Sequence, residues 1–357
     1  MHHRRHMSAH GRVSPALSVA VAVAVAGLMI VGLTACSVAS TSSRAPSSSP
    51  SIVPASPGSS RASATRLIVE PDQGITPIYS LLASPTRTLD LSMYELVDTQ
   101  AESILAADAA RGVSVRVILD HHREATRNQP AFSYLAAHRV QVEWAPSTWP
   151  AFHIKMICVD AATCSVLTLN LTSRYYPNTR DLAVSDSNPA DVSAMERTFA
   201  ADFDGSSTVP AAGTDLVWSP GSSAGLTALI ASATSELLIY NEEMSDPTIV
   251  ASLASAARRG VAVKVVMTDE PSWAPDFSSL AAAGVQVRVY QGESPIYIHA
   301  KMISVDQKEV FVGSENFSRA SLDDNRELGV VVTDAATVSS ANRTFAVDFA
   351  GARPWGG

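Results

Sequence analysis

Residues 152–160 read FHIKMICVD, and residues 298–306 read IHAKMISVD. Both stretches carry the pattern H-x-K-x4-D in a short apolar run, which is typical of a β-strand. From the frequencies of His, Lys and Asp, we expect on the order of 0.005 chance matches to this pattern in a chain of this length. Two matches therefore indicate that the chain contains one structural unit twice.

The repeat extends well beyond the motif. Residues 66–208 and 215–357 can be aligned over their whole length; RGVSV at 111–115, for example, matches RGVAV at 259–263. A period this long excludes a solenoid of short repeats. We therefore predict an N-terminal half over 66–208 and a C-terminal half over 209–357.

The hydrophobic pattern within the first copy alternates between short Val/Ile/Leu runs and amphipathic stretches. It predicts strands over 67–69, 88–93, 113–119 and 140–144, and helices over 73–84, 99–111 and 130–138. Such alternation predicts an α/β fold of two pseudo-twofold-related halves, each a mixed β-sheet flanked by helices. Ligands gather at the carboxyl ends of strands in such folds. Polar residues follow equivalent strands there, Tyr94-Glu95 in one copy and Asn241-Glu242-Glu243 in the other.

The His and Lys of each motif are two residues apart, so they share one face of a strand. Presented twice about a pseudo-twofold axis, His153, Lys155, His299 and Lys301 would surround one anion. This arrangement suits a phosphodiester. One neutral histidine attacks phosphorus, and the other, protonated, gives a proton to the leaving oxygen.

Two further pairs of residues recur with the motifs. Asn170 and Asn316 each follow the motif aspartate by ten residues. With the lysines, they are expected to hold the non-bridging oxygens of the transition state. Asp160 and Asp306 lie an odd number of residues after their histidines, so we expect them to support the site without touching substrate.

Asp181 and Glu327 each lie 28 residues after the motif histidine of their copy, and each follows an arginine. A nucleophilic imidazole needs an acceptor at its second nitrogen to fix its tautomer, and these carboxylates are the candidates. The alternative is a pair of surface Arg–acid contacts, which are common and weak.

H-x-K-x4-D followed by G-S-x-N is the signature of the phospholipase D superfamily, which residues 66–357 resemble. The second copy matches in full with GSEN at 313–316, whereas the first reads LTLN at 167–170 and lacks the glycine. The resemblance implies a phosphohistidine intermediate without metal or cofactor. It also implies His153 as nucleophile, His299 as acid, His-orienting roles for Asp181 and Glu327, and substrate binding by Ser314 and Thr168.

The superfamily contains phospholipases, cardiolipin hydrolases and synthases, nucleases and inactive members, and the fold does not choose among them. The net charge of −8 and the four lysines disfavour nucleic acid as a partner. We expect hydrolysis of phospholipid head groups to phosphatidic acid. A secreted endonuclease, a cardiolipin synthase or transphosphatidylase, and a non-catalytic envelope protein that binds anionic lipid stay open. Both motifs lie in one chain, so a monomer suffices and no partner protein is implied.

The N-terminal residues are predicted to direct export. Residues 1–12 are basic, residues 13–35 carry no charge, and Leu33-Thr34-Ala35-Cys36 resembles a bacterial lipobox. We predict a signal peptide over 1–35 and a lipid anchor on Cys36 at the outer face of the cell membrane. An uncleaved apolar span is the alternative. Removing 1–35 deletes three arginines and no acid, which changes the net charge from −8 to −11.

Three shorter features complete the sequence. Residues 36–65 are rich in Ser and Pro, which predicts a disordered tether. Cys158 and Cys164 form either a disulfide or two buried thiols. His121 and His122 are interpreted as part of a loop beside the active-site mouth, and no metal site is predicted.

Overall fold

A computed structural model describes residues 65–206, 209–292 and 294–356. The predicted signal peptide, Cys36 and the tether up to residue 64 lie outside this part of the chain. Within it, no helix combines the length and the apolar character that crossing a bilayer requires.

The first half is a mixed sheet with helices on it. Its strands are β1 (Thr65–Glu70), β2 (Thr88–Met93), β3 (Leu96–Val97), β4 (Ser114–Leu119), β5 (Gln141–Trp144), β6 (Met156–Val159), β7 (Thr163–Leu167), β8 (Leu171–Thr172) and β9 (Thr179–Asp186). Its helices are α1 (Thr76–Leu82), α2 (Thr99–Ala110), α3 (Ala125–Ala137) and α4 (Pro189–Phe203). The main sheet has the order β1-β9-β7-β6-β2-β4-β5.

The second half repeats this arrangement. Its strands are β10 (Leu216–Ser219), β11 (Glu236–Tyr240), β12 (Ala262–Thr268), β13 (Gln286–Tyr290), β14 (Tyr297–Ile298), β15 (Met302–Val305), β16 (Glu309–Gly313), β17 (Glu327–Val332) and β18 (Arg353–Pro354). Its helices are α5 (Ser222–Ser232), α6 (Pro247–Arg258), α7 (Ala274–Ala282) and α8 (Ala335–Gly351). The order β10-β17-β16-β15-β11-β12-β13 matches the first sheet strand for strand, and β18 is added at its edge.

The predicted fold class is confirmed, with one notable shift in a helix. Helix α3 begins at Ala125, five residues before the start expected from the sequence. The carboxylate of Asp120 accepts hydrogen bonds from the backbone N–H groups of residues 123 and 124, at 2.7 and 2.9 Å. Those bonds start the helical turn upstream of Pro130, which then lies inside the helix.

Equivalent local signals set the bounds of α2 and α6. Asp98 and Asp246 cap the helices, each accepting hydrogen bonds from backbone N–H groups two and three residues further on. Gly112 and Gly260 follow the helices with φ of 96° and 93°, a conformation that glycine adopts without steric penalty. The two halves therefore present their second helix in the same way.

The halves share one apolar core and two buried ion pairs. Side chains of both sheets form one cluster, including Met156 and Val184 from the first half and Met302 and Val330 from the second. Two charged pairs also cross the boundary between the halves.

Arg180 of β9 pairs with Asp348 of α8 at 2.6 Å, and Arg326, just before β17, pairs with Asp202 of α4 at 2.9 Å. The side chains of Arg180 and Arg326 are only 4% and 0% exposed. The interpretation of these arginines as members of surface pairs is therefore wrong. They join the two halves directly beside the residues Asp181 and Glu327.

The cysteines form a disulfide. Cys158 of β6 and Cys164 of β7 are opposite each other in the antiparallel pair and are joined by an S–S bond. Both are buried. Of the two alternatives left open by the sequence, the structure selects the disulfide.

Candidate active site

Both motifs reach the boundary between the halves just before a central strand begins. His153 and Lys155 precede β6, and His299 and Lys301 precede β15. Each motif is held by the other half. The backbone N–H of His153 donates to the carbonyl of Arg326 at 2.8 Å, and the backbone N–H of His299 donates to the carbonyl of Arg180 at 3.2 Å. Both imidazoles line one cleft of about 560 Å³.

Each imidazole is paired with a carboxylate from the opposite half. His153 Nδ1 lies 2.7 Å from Glu327 Oε2, and His299 Nδ1 lies 2.7 Å from Asp181 Oδ1. The sequence spacing identified both acids, but it counted each from the histidine of its own copy. The crossing of the halves exchanges the partners and directs Nε2 of each ring toward the cleft.

The carboxylates are themselves held in place. Thr168 Oγ1 donates to Asp181 Oδ1 at 2.5 Å, and Ser321 Oγ donates to Glu327 Oε1 at 2.6 Å. The side-chain amide of Asn325 adds a bond to Glu327 at 3.2 Å. Both acids therefore have a fixed orientation toward their imidazole.

Thr168 and Ser314, which the resemblance assigned to substrate binding, do not reach the cleft. Both are fully buried. Thr168 supports Asp181, whereas Ser314 Oγ accepts a hydrogen bond from the backbone N–H of Leu328 at 3.1 Å. Their buried position just after β7 and β16 makes them positioning residues, and the assignment to substrate binding is corrected.

The two lysines have different surroundings although both are fully buried. Lys155 Nζ donates to the carbonyl of His153 at 2.9 Å and lies 4.9 Å from the centre of the Tyr94 ring. Lys301 Nζ instead forms an ion pair with Glu242 at 3.0 Å. Burial, together with repulsion from Lys301, lowers the pKa of Lys155 to about 7.

The two histidines also differ in the charged groups around their rings, above all near Nε2. Burial lowers the pKa of His153, and the attraction of Glu327 opposes that shift without cancelling it. His299 has a second carboxylate, since Glu242 lies 3.4 Å from its Nε2. The two rings thus differ: burial disfavours the charged form of His153, whereas His299 has a carboxylate near each of its ring nitrogens.

The two asparagines lie where the sequence predicted them, in the wall of the cleft. Asn316 Nδ2 donates to Glu243 Oε1 at 3.2 Å and to Glu242 Oε2 at 3.4 Å. The Oδ1 atoms of Asn170 and Asn316 are buried and have no hydrogen-bond partner within the described residues. Both side chains are therefore available to a ligand in the cleft.

Asp160 and Asp306 lie at the opposite end of the central strands from the histidines. Asp160 accepts hydrogen bonds from the backbone N–H groups of residues 86, 87 and 88, and Asp306 does the same for residues 234, 235 and 236. These bonds outweigh desolvation and hold the pKa of both carboxyls well below its usual range. They lie away from the histidines and fix the start of β2 and β11. Among the described residues, no hydrogen bond or ion pair joins them to the His, Lys or Asn side chains of the site.

Several cleft residues received no catalytic role from the sequence, among them Tyr94, Glu242 and Tyr297. Tyr94 packs edge-on against His153 with ring centres 4.5 Å apart, and the hydroxyl of Tyr297 donates to Glu242 at 2.9 Å. The sequence feature that points to Tyr94 and Glu242 is their position within two residues of the ends of β2 and β11. Polar residues were noted there, but their distance from the motifs could not be read from the chain.

The loop with His121 and His122 serves the site through its neighbour. Asp120 Oδ2 accepts a hydrogen bond from the backbone N–H of Phe152 at 2.7 Å and so holds the residue before His153. Neither His121 nor His122 lines the catalytic cleft. In the described part of the chain, the residues close enough to share a metal ion are Cys158, Cys164 and Glu196, and the two cysteines are already joined.

Comparison with known families gives a match over both halves. The sequence model of the family described as "Cardiolipin synthase, PLD-like domain" matches residues 78–203 and 226–349. Each match contains one motif and the acid that follows it. The predicted duplication and the family matches thus fall on the same parts of the chain.

Individual relatives are similar over shorter stretches. A phospholipase D of Rickettsia bellii is 33% identical over 112 residues, which are 31% of this chain and 55% of that protein. Cardiolipin synthase A of Pseudomonas aeruginosa is 33% identical over 112 residues, which are 29% of this chain and 22% of that protein. The match therefore spans about half of the first relative and about a fifth of the second.

A solved structure resembles the whole folded part. The phosphatidylserine synthase of Haemophilus influenzae superposes with a TM-score of 0.65 at 12% identity, over 82% of this chain and 88% of that one. At this identity the likeness shows the fold alone. It agrees with the two-half architecture described above.

Proposed function

The chain belongs to the family of cardiolipin synthase, phospholipase D-like domains, and from this premise we propose that it is a phosphodiesterase of the phospholipase D type. Members of this superfamily act on phosphodiesters. The proposed reaction removes the head group of a phospholipid and leaves phosphatidic acid. It uses a phosphohistidine intermediate and needs no metal ion.

One observation carries the proposal: two imidazoles face one cleft, and each has its Nδ1 bound to a carboxylate at 2.7 Å. That bond keeps the proton on Nδ1 of a neutral ring and leaves the lone pair of Nε2 free to attack. A binding protein for anionic lipid would require neither feature. The arrangement therefore favours covalent catalysis over simple binding.

In the first step, His153 Nε2 attacks phosphorus and an N–P bond forms while the bond from phosphorus to the head-group oxygen breaks. His299 gives its Nε2 proton to that oxygen, so the head group leaves as a neutral alcohol. The assignment rests on the lowered pKa of His153 and on the carboxylates near both ring nitrogens of His299. It agrees with the roles implied by the resemblance.

In the second step, His299 takes a proton from water, and the resulting oxygen attacks phosphorus while the N–P bond breaks. Phosphatidic acid is released, and both histidines return to their original protonation states. Lys155, Lys301, Asn170 and Asn316 would stabilise the negative charge on the non-bridging oxygens in both steps. The ammonium groups would supply positive charge, and the amide groups would donate hydrogen bonds.

Several features support a lipid substrate outside the cytoplasm, which is also part of the proposal. The sequence predicts a signal peptide and a lipobox at Cys36, and the Cys158–Cys164 disulfide fits an oxidising compartment. The strongly acidic chain disfavours nucleic acid. We propose that the protein is anchored at the outer face of the cell membrane and acts there as a monomer.

Transfer to an alcohol instead of water is the second candidate, because the matched family is described by a cardiolipin synthase and one relative carries that name. It would use the same intermediate. An alcohol would replace water in the second step, and a phosphodiester would be the product. The two candidates therefore differ only in the acceptor.

The test compares substrates for the purified full-length protein with EDTA present. Phospholipid vesicles are assayed for free head group and phosphatidic acid, with and without added glycerol, and single- and double-stranded DNA are assayed for cutting. Head-group release without DNA cutting supports the proposal, and a glycerol adduct selects the transferase. DNA cutting alone, or activity that depends on added metal ions, overturns it.

A further inference from the structure

Glu242 occupies the position in the second half that Tyr94 occupies in the first. Leu91 of β2 is opposite Ile157, and Ile239 of β11 is opposite the equivalent residue Ile303. Tyr94 and Glu242 each lie three residues further along these strands. The pseudo-twofold axis therefore relates an aromatic ring to a carboxylate at the centre of the site.

The carboxylate of Glu242 contacts the groups that the proposed reaction needs for the phosphate. Its Oε2 lies 3.0 Å from Lys301 Nζ, 3.4 Å from His299 Nε2 and 3.4 Å from Asn316 Nδ2. Its Oε1 accepts the hydroxyl of Tyr297 at 2.9 Å, which fixes its orientation. Glu242 thus presents an anion to the ligands expected to hold phosphoryl oxygens.

The first half contains no such anion at the equivalent place. The Tyr94 ring lies 4.5 Å from the His153 ring and 4.9 Å from Lys155 Nζ, and its side chain carries no carboxylate. One lysine is thus neutralised before substrate arrives, and the other is not. Lys301 and His299 outweigh the desolvation of Glu242 and hold its pKa well below its usual range, so the carboxylate is charged.

This arrangement should bind phosphate ligands with affinities that depend on their charge. A phosphodiester carries one negative charge, whereas a phosphomonoester carries close to two at neutral pH because its second pKa is about 6, and inorganic phosphate carries close to two at pH 8. A fixed carboxylate beside the phosphoryl oxygens repels the second charge, and the repulsion is strong where water is excluded. The product of the proposed hydrolysis is itself a monoester.

We propose that Glu242 is a specificity-determining residue that disfavours doubly charged phosphates at this site, and so favours diester substrates and speeds release of a monoester product. The inference rests on the proposed function for its biological meaning. The predicted effect itself is a change in the affinity of the cleft for anions, and this affinity can be measured without turnover.

The experiment measures binding of two probes to the full-length protein by calorimetry at pH 8. Inorganic phosphate is the doubly charged probe, and dimethyl phosphate is the singly charged one. Glu242→Gln should bind inorganic phosphate about tenfold more tightly than the unchanged protein. Its affinity for dimethyl phosphate should change by less than threefold. The same variant should be more sensitive to inhibition by inorganic phosphate when it hydrolyses bis(p-nitrophenyl) phosphate.

Glu270→Gln is the matched control. Glu270 lines the same cleft, and among the described residues its side chain has no hydrogen bond or ion pair with Lys301 or His299. It should change phosphate affinity by less than twofold. Equal effects of the two variants, unchanged phosphate binding in Glu242→Gln, or equal tightening of both probes would overturn the inference. Absence of diester hydrolysis by the unchanged protein would instead overturn the proposed function and leave the binding result to be judged alone.

Discussion

The two halves supply the same His, Lys and Asn side chains to the site, but they surround them differently. In the first half, Tyr94 packs against His153 and lies over Lys155. In the second half, Glu242 binds Lys301 and approaches His299. In a site with two equivalent imidazoles, either one could serve as the nucleophile or as the acid. The comparison shows that one difference at equivalent positions, Tyr94 in one half and Glu242 in the other, gives the two histidines different surroundings.

The largest expected effect comes from removing either histidine. His153→Ala and His299→Ala should each lower steady-state turnover of bis(p-nitrophenyl) phosphate by about 10³-fold. The variants should differ in the first turnover. His299→Ala should still release about one p-nitrophenolate per protein in a burst, because this leaving group departs without an acid. His153→Ala should show no burst, because it lacks the nucleophile.

Stopped-flow absorbance measures that burst. A burst in His153→Ala and none in His299→Ala would exchange the two roles. Ordinary turnover in either variant would exclude the two-histidine mechanism.

The ion pairs between the halves come next. Arg326→Met should lower the free energy of unfolding by about 3–5 kcal/mol, because it leaves the carboxylate of Asp202 buried without a cation. Arg180→Met should cost less, since the hydroxyl of Tyr240 still donates to Asp348 at 2.6 Å. Urea unfolding gives both values. Equal losses would show that the two pairs are equivalent in energy, and recovery of stability in Arg326→Met with Asp202→Asn serves as the control.

The lysines should differ in their effect on the pH profile. Lys155 has a lowered pKa of about 7, so in the free protein it is charged below that pH and neutral above it. If its charge binds phosphate, kcat/KM should fall as the pH rises through about 7, by up to about tenfold per pH unit. Lys155→Arg should lose this alkaline limb, because a guanidinium stays charged. An unchanged limb in that variant would assign the titration to another group.

The smallest effect on turnover is expected at the ends of the motifs. Asp160→Asn and Asp306→Asn should leave kcat within about twofold and lower the free energy of unfolding by about 1 kcal/mol, as loss of a cap does. Their pKa values are held below the usual range, so the stability they contribute is present above about pH 4 and is lost as the pH falls further. Thermal unfolding at pH 7 and pH 3 checks this. Lost turnover with unchanged stability would return both residues to the site.

Much of this architecture could be predicted because it rests on local patterns. The strand and helix alternation predicted the fold class, and the bounds of β2 agreed with the prediction at both ends. Helix α3 was placed five residues too late, because the carboxylate of Asp120 starts the helix earlier through bonds across the loop. The helix propensity of a segment does not include hydrogen bonds from a residue outside that segment, so it could not predict this start.

The sequence by itself determined the duplication, the two H-x-K-x4-D motifs, the fold class and the two acids that follow the motifs. These features depend on residue type and spacing, which are written in the chain. It could not determine that Glu327 serves His153 and that Asp181 serves His299, because that exchange results from how the halves pack.

Only the tertiary structure decided the charge balance of the site. The ion pair of Glu242 with Lys301 joins residues 59 positions apart, and the buried arginine pairs join residues more than 120 positions apart. The pKa of a group depends on its burial and on the charges within a few ångströms. Both are properties of the packed interior, so two nearly identical motifs could acquire different chemistry without any difference in their own residues.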